Sequence, residues 1–108
     1  MQFTQGPVDG ALVAPQQLSA AGVAAGGAAL AANAAGDVAV VFQEDFVARA
    51  AVQPAGGTMG APETIDTGDA DAITVDVVPS GSGRFIAAVE TGVRAKSSRQ
   101  VRISTFAP

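Results

Sequence analysis

The chain contains no cysteine, histidine, tryptophan or tyrosine. Without cysteine it can form neither a disulfide nor a thiolate metal site, and its redox compartment cannot be inferred from cysteine usage. Without histidine it lacks the commonest general base and the commonest transition-metal ligand. Its five phenylalanines, Phe3, Phe42, Phe46, Phe85 and Phe106, are scattered. They suit core packing better than a platform for stacking sugars or bases. Basic residues are scarce over most of the chain. Residues 1–83 carry nine acidic side chains against Arg49 alone, a net charge of −8, whereas residues 84–108 carry five basic ones against Glu90, a net +4. The two ends are expected to attract one another or a neighbouring copy.

What is present is small and apolar. Hydrophobic residues make up 48% of 108 positions, mainly Ala and Val, so each buried position removes little area from water. The length suits a single domain over residues 1–108. The run "SAAGVAAGGAALAANAAG", residues 19–36, is neither helix nor membrane span. Gly22, Gly26, Gly27 and Gly36 each oppose helix by about 1 kcal/mol relative to Ala, and Asn33 and Asp37 would lie in or beside the bilayer. Gly22, Gly26 and Gly27 also lack the strand–helix frame of a phosphate loop and read as a flexible connector. A signal peptide is not expected, because the first basic residue is Arg49.

The chain repeats itself. "VDGALVAPQQLS", residues 8–19, aligns without a gap on "AGGTMGAPETID", residues 55–66: Gly10 with Gly57, Leu12 with Met59, Ala14-Pro15 with Ala61-Pro62, Leu18 with Ile65. The offset is 47 residues. "VARAAVQP", residues 47–54, matches "VRISTFAP", residues 101–108, at an offset of 54, with the seven extra residues around "VRAKSSRQ", residues 93–100. Units of about 8–54 and 55–108 follow, and the chain starts and stops at the same phase of its unit.

Within a unit the periodicity is β. "DVAVVFQ" puts Val38, Val40 and Phe42 on one face and Ala39 and Val41 on the other, which predicts a strand buried on both sides. "ITVDVV" alternates, with Ile73, Val75 and Val77 inward and Thr74 and Asp76 outward. "RFIAAVE" and "VRISTF" read as strands, "NAAGD" (33–37) and "PSGSG" (79–83) as corresponding hairpin turns, and Pro54 with Gly56-Gly57 as the turn to a fourth strand near Ala61. Each unit is then four short antiparallel strands.

A four-stranded repeat of this length has the period of a β-propeller blade. "AANAAGDVAVVFQEDFVARAAVQPAGGTMGAPETI" resembles the Ala-rich blade repeats of secreted or surface proteins of high-GC bacteria or their phages. The aromatic residue closing the second strand is here Phe42 and, in the second unit, Val89. The resemblance implies an all-β fold of about two blades, a propeller fragment or an oligomeric propeller, and an extracellular, cell-surface or virion setting. It implies no particular chemistry. The alternative is a compact β-sandwich or barrel.

Candidate sites are few. Asp66, Asp69 and Asp71 cluster in a glycine-containing loop, as calcium ligands do, but an EF-hand beginning at Asp69 would need Gly and Glu where Thr74 and Ser80 stand. A solvated acidic loop is the favoured reading, with no metal and no cofactor. Glu44 and Asp45 are neighbours at a predicted hairpin tip, where adjacent side chains diverge. Arg94, Lys96, Arg99 and Arg102 form a basic stretch that suits an anionic ligand or, preferentially, the acidic part of a partner. Nucleic acid is disfavoured by the acidic total and the absence of stacking aromatics. Ser97 or Ser98 beside Lys96 makes no catalytic pair in an exposed loop. A carboxylate-only hydrolase would rest on Glu44, Glu63, Asp69 or Glu90, and nothing sets any pair at the required separation of about 5–10 Å. The expectation is a non-enzymatic structural or interaction module that self-associates or docks onto a larger assembly. A virion or cell-surface component, and a module binding glycan or anion, are the alternatives.

Overall fold

The computed structural model describes residues 2–3, 16–18, 25–65, 71–81, 83–92 and 99–107. These form an all-β, wholly antiparallel fold of nine strands: β1 (Gln2–Phe3), β2 (Gln16–Gln17), β3 (Ala25–Ala32), β4 (Val38–Glu44), β5 (Val47–Gln53), β6 (Glu63–Thr64), β7 (Asp71–Ser80), β8 (Arg84–Gly92) and β9 (Arg99–Phe106). They make a β1–β2 pair, a four-stranded first sheet ordered β3–β4–β5–β6 and a three-stranded second sheet ordered β7–β8–β9.

The two larger sheets pack face to face. Ala39, Val41 and Ala50 of the first meet Val77, Phe85 and Ala87 of the second in one buried cluster, edged by Ala29, Ala31, Val52, Ile65, Val75 and Phe106. The opposite face of β4 is also covered: Val40 and Phe42 pack with Ala51 beneath Leu18 and Met59. Strand β4 is therefore buried on both sides, as its unbroken apolar run requires. The alternation in β7 holds too, with Val77 buried and Thr74 and Asp76 exposed.

Both predicted hairpin turns are present, between β3 and β4 and between β7 and β8. In the first, the Gly36 amide donates to the Asn33 carbonyl at 3.1 Å, and Gly36 sits at φ 95°, a region that a side chain disfavours. The Asp37 carboxylate accepts from Asn33 Nδ2 at 2.9 Å and from the Ala55 amide at 2.8 Å, tying this turn to the Pro54–Gly57 turn. Those bonds, Asn33's first, hold the Asp37 carboxyl below the usual aspartate value of 3.8. A depressed folded-state value means that the contribution is complete above the unfolded value and is lost as pH falls through the folded one. Asp37→Asn leaves a single acceptor for two donors, so it should unfold at lower denaturant than wild type at neutral pH. The gap should shrink below pH about 4. A gap that stayed constant down to strongly acid pH would rule out the carboxylate as its source.

The Ala- and Gly-rich stretch is not a connector throughout. Gly26 and Gly27 lie inside β3, with Gly27 at φ 57° where the register against β4 slips by one residue. Gly22 lies outside the described residues. Small side chains carry little strand preference of their own, and it is hydrogen bonding to the strongly β-forming β4 that recruits them.

The repeat is structural. At an offset of 47, β3 maps on β7, β4 on β8 and β2 on β6. From Ala29 to Ala32 the pairing is conserved to the residue: Leu30 opposite Val40 becomes Val77 opposite Ala87. Gln2 and Phe3 opposite Gln17 and Gln16 become Arg49 and Ala50 opposite Thr64 and Glu63. One correction is needed. Phe42 pairs with Arg49, and its counterpart Val89 pairs with Arg102, not Ile103. The third strands therefore correspond at 53 residues rather than 54, and the insertion is six residues, 93–98. A one-residue slip exchanges the faces of a strand, so Ala50 matches Ile103 and Arg49 matches Arg102.

Candidate functional site

Once the register is set, each sheet has an inner face, toward the other sheet, and an outer one. Directly opposite residues of an antiparallel pair share a face. The outer face of the second sheet thus carries Val78 on β7, Ile86 and Ala88 on β8, and Val101 and Ile103 on β9, because Val78 faces Ile86, Ala88 faces Ile103 and Glu90 faces Val101. Val78, Val101 and Ile103 are 50%, 70% and 69% exposed. Asp76 and Thr74 border the patch, and the Thr74 hydroxyl donates to the Glu90 carboxylate at 3.1 Å. β-Branched residues suit strands, and a contiguous exposed apolar patch is uncommon on a monomer.

The first sheet shows what lies against the corresponding face there. By the repeat, Val101 and Ile103 stand where Ala48 and Ala50 stand, and Ile86 and Ala88 where Ala39 and Val41 stand. All four counterparts are buried. Ala39, Val41 and Ala50 are buried by the second sheet, and Ala48 packs with Ala72 and Val89. The two sheets are therefore stacked in the same sense, the inner face of the second against the face of the first that corresponds to the second's own outer face.

On the far side, the outer face of the first sheet corresponds to the inner face of the second. Leu30, 62% exposed, occupies the place of Val77, 4% exposed. Leu18 lies over Val40 and Phe42 as its counterpart Ile65 lies near Ala87 and Val89.

The basic and acidic candidates fare differently. Arg94, Lys96, Asp66 and Asp69 lie outside the described residues, as do Ser97 and Ser98. Arg99 opens β9, Arg102 is exposed on the same strand, and Asp71 opens β7 half-buried. Among the described residues no group of three or more acidic side chains is placed to hold a metal ion, and no helix is long and apolar enough to cross a membrane. Glu44 ends β4, while Asp45 begins a two-residue turn with Phe46 in which both have positive φ, 51° and 63°. That is the geometry of a tight hairpin. Glu44 Oε1 lies 3.8 Å from Arg49 Nε. The Arg49 guanidinium donates instead to the Pro62 carbonyl at 2.9 Å and the Thr64 hydroxyl at 3.2 Å, holding β6 to the sheet. Glu44 is thus part of a structural ion pair, not of an acid–base dyad.

The grooves are shallow. One runs between β5, β6 and the end of β9, lined by Val52, Glu63, Ile65 and Phe106, and another separates the two corresponding hairpin tips. Neither gathers convergent polar groups. A buried hydroxyl without a partner belongs to Thr91, 2% exposed, on the inner face of β8. A hydroxyl taken out of water with no partner is a cost, so Thr91→Val, which keeps the shape, should raise stability by about 1 kcal/mol in chemical denaturation. A loss of that size would mean that the hydroxyl has a partner in solution.

Sequence reasoning missed the outer face of the second sheet for one reason. The match at 54 put Ile103 and Val101 in step with residues of the other face, and only the hydrogen-bond register reveals them as counterparts of buried alanines. No family model matches the chain, and neither a curated protein nor a solved structure is similar to it at a meaningful level.

Proposed function

We propose that this chain is a non-enzymatic interaction module of blade-like sheets whose working surface is the outer face of the second sheet. The observation that carries the reading is the contrast between Val101 and Ile103, about 70% exposed, and their buried counterparts Ala48 and Ala50. Sheets stacked in one repeated sense support blade-type packing over a closed sandwich, because such a stack always leaves one face open at its end.

The test is the mass in solution by light scattering at two salt concentrations, for wild type and for a variant with Val101→Asp and Ile103→Asp. Wild type should associate, and less so at high salt, since the acidic and basic parts of the chain attract across the contact. The variant should stay folded and monomeric. A wild-type chain that remained monomeric up to about 1 mM, the concentration at which an association of only 4 kcal/mol is half complete, would overturn the reading.

A further inference from the structure

We infer that the partner of this face is a second copy of the chain, docked head to tail: the outer face of the second sheet in one copy covers the outer face of the first sheet in the next. The inference rests on the interaction reading above and names its partner. Three observations carry it.

First, the contact already exists once inside the chain. The face of the first sheet made by Ala39, Val41 and Ala50 receives the face of the second made by Val77, Phe85 and Ala87. The repeat turns the first set into Ile86, Ala88 and Ile103 and the second into Leu30, Val38 and Val40. Ile103 and Leu30, one from each set, are the exposed residues at 69% and 62%. The two faces are thus counterparts of two faces known to fit, and the open part of the first sheet's is Leu30 on β3, since Leu18 and Met59 already lie over Val40. The changes in size largely offset one another: Ala39, Ala50, Val77 and Ala87 grow to Ile86, Ile103, Leu30 and Val40, while Val41 and Phe85 shrink to Ala88 and Val38. Roughly constant total volume is what a packed contact tolerates.

Second, charge selects the sense of the contact. Residues 71–106, which span the second sheet, carry a net +2, and residues 25–65, which span the first, carry −3. Head-to-tail contact sets β8 and β9 against the acidic part, whereas a symmetric contact of two second sheets would set like charges together.

Third, a place for the neighbour's strand is marked. β1 pairs with β2 in the register in which β5 pairs with β6, and β9 is the further counterpart of both. Among the described residues no strand pairs with β9 beyond β8. In the docked state Arg102 and Ile103 of one copy take beside β2 of the next the place that Gln2 and Phe3 hold with only two residue pairs.

A contact between two different surfaces propagates, into a ring if the rotation closes and into a filament if it does not. Two variants each block one end: Leu30→Asp on the first sheet, and Val101→Asp with Ile103→Asp on the second. All three sites are exposed, so the fold should survive, as circular dichroism will report; Leu30→Gln replaces Leu30→Asp if it does not. The expected result is that each variant alone is a monomer, and that an equal mixture forms a two-chain species of twice 10.6 kDa and nothing larger, while wild type forms larger species. If the Leu30 variant alone associates as wild type does, the head-to-tail inference falls and the interaction reading stands. The same holds if the mixture stays monomeric while wild type associates. If wild type itself is monomeric, both fall.

Discussion

Phe85→Ala is expected to lower the free energy of unfolding by about 3–5 kcal/mol, the range for removing a fully buried aromatic ring. Phe85 is wholly buried at the start of β8 and stacks on Phe106 with ring centroids 5.7 Å apart and planes at 24°. Its neighbours on the inner face are Ala39, Ala50, Ala87 and Val77, side chains too short to swing into the space it leaves. The cavity therefore persists, and its cost adds to that of the lost transfer energy. A domain of this size holds about 5–15 kcal/mol in total, so the variant should lose a large part of its stability. Denaturant titration at 25 °C is the check. A loss under about 1 kcal/mol would mean that the sheets close over the gap, and that the alanine-rich core is more compliant than close packing allows.

Much of the architecture was legible because short, strongly patterned segments decide it. "DVAVVFQ" has apolar residues at every position that a doubly covered strand buries, and "ITVDVV" alternates with a period that no helix shares. Asn33 to Asp37 and Ser80 to Gly83 hold the turn residues that two hairpins need. Strand β3 was harder, because Ala and Gly carry neither β preference nor an apolar stripe, and its place depends on β4 beside it. The one-residue error in matching β5 with β9 had a physical origin as well. A connection of six residues costs almost the same entropy as one of seven, so sequence similarity alone could not choose, and only the opposite residue on β8 does. That residue also decides the candidate surface, since it determines whether Ile103 points toward the first sheet or away from it.

The register yields a sharper consequence than any single burial. Ala50 and Ile103 are the same position in two copies of one unit, yet an aspartate should act on them in opposite ways. Ala50→Asp puts a carboxylate between the sheets, at a site 5% exposed and surrounded by Ala39, Val41, Val77 and Phe85, with no basic group in that cluster to pair with it. An unpaired charge in such a place costs several kcal/mol or forces the group to take up a proton. We expect Ala50→Asp to be unfolded at neutral pH and to regain structure on mild acidification. Ile103→Asp, at 69% exposure, should change the stability of the single chain by less than about 0.5 kcal/mol, as surface substitutions do. Circular dichroism of the two variants across pH decides the matter. If the residues instead corresponded at an offset of 54, Ala50 would match Ser104 and Ile103 would match Arg49, whose face in the first sheet corresponds to the inner face of the second. Two aspartates with equal effects would therefore sink the register, and with it the claim that the outer face of the second sheet is a repeat of an interface the protein already makes.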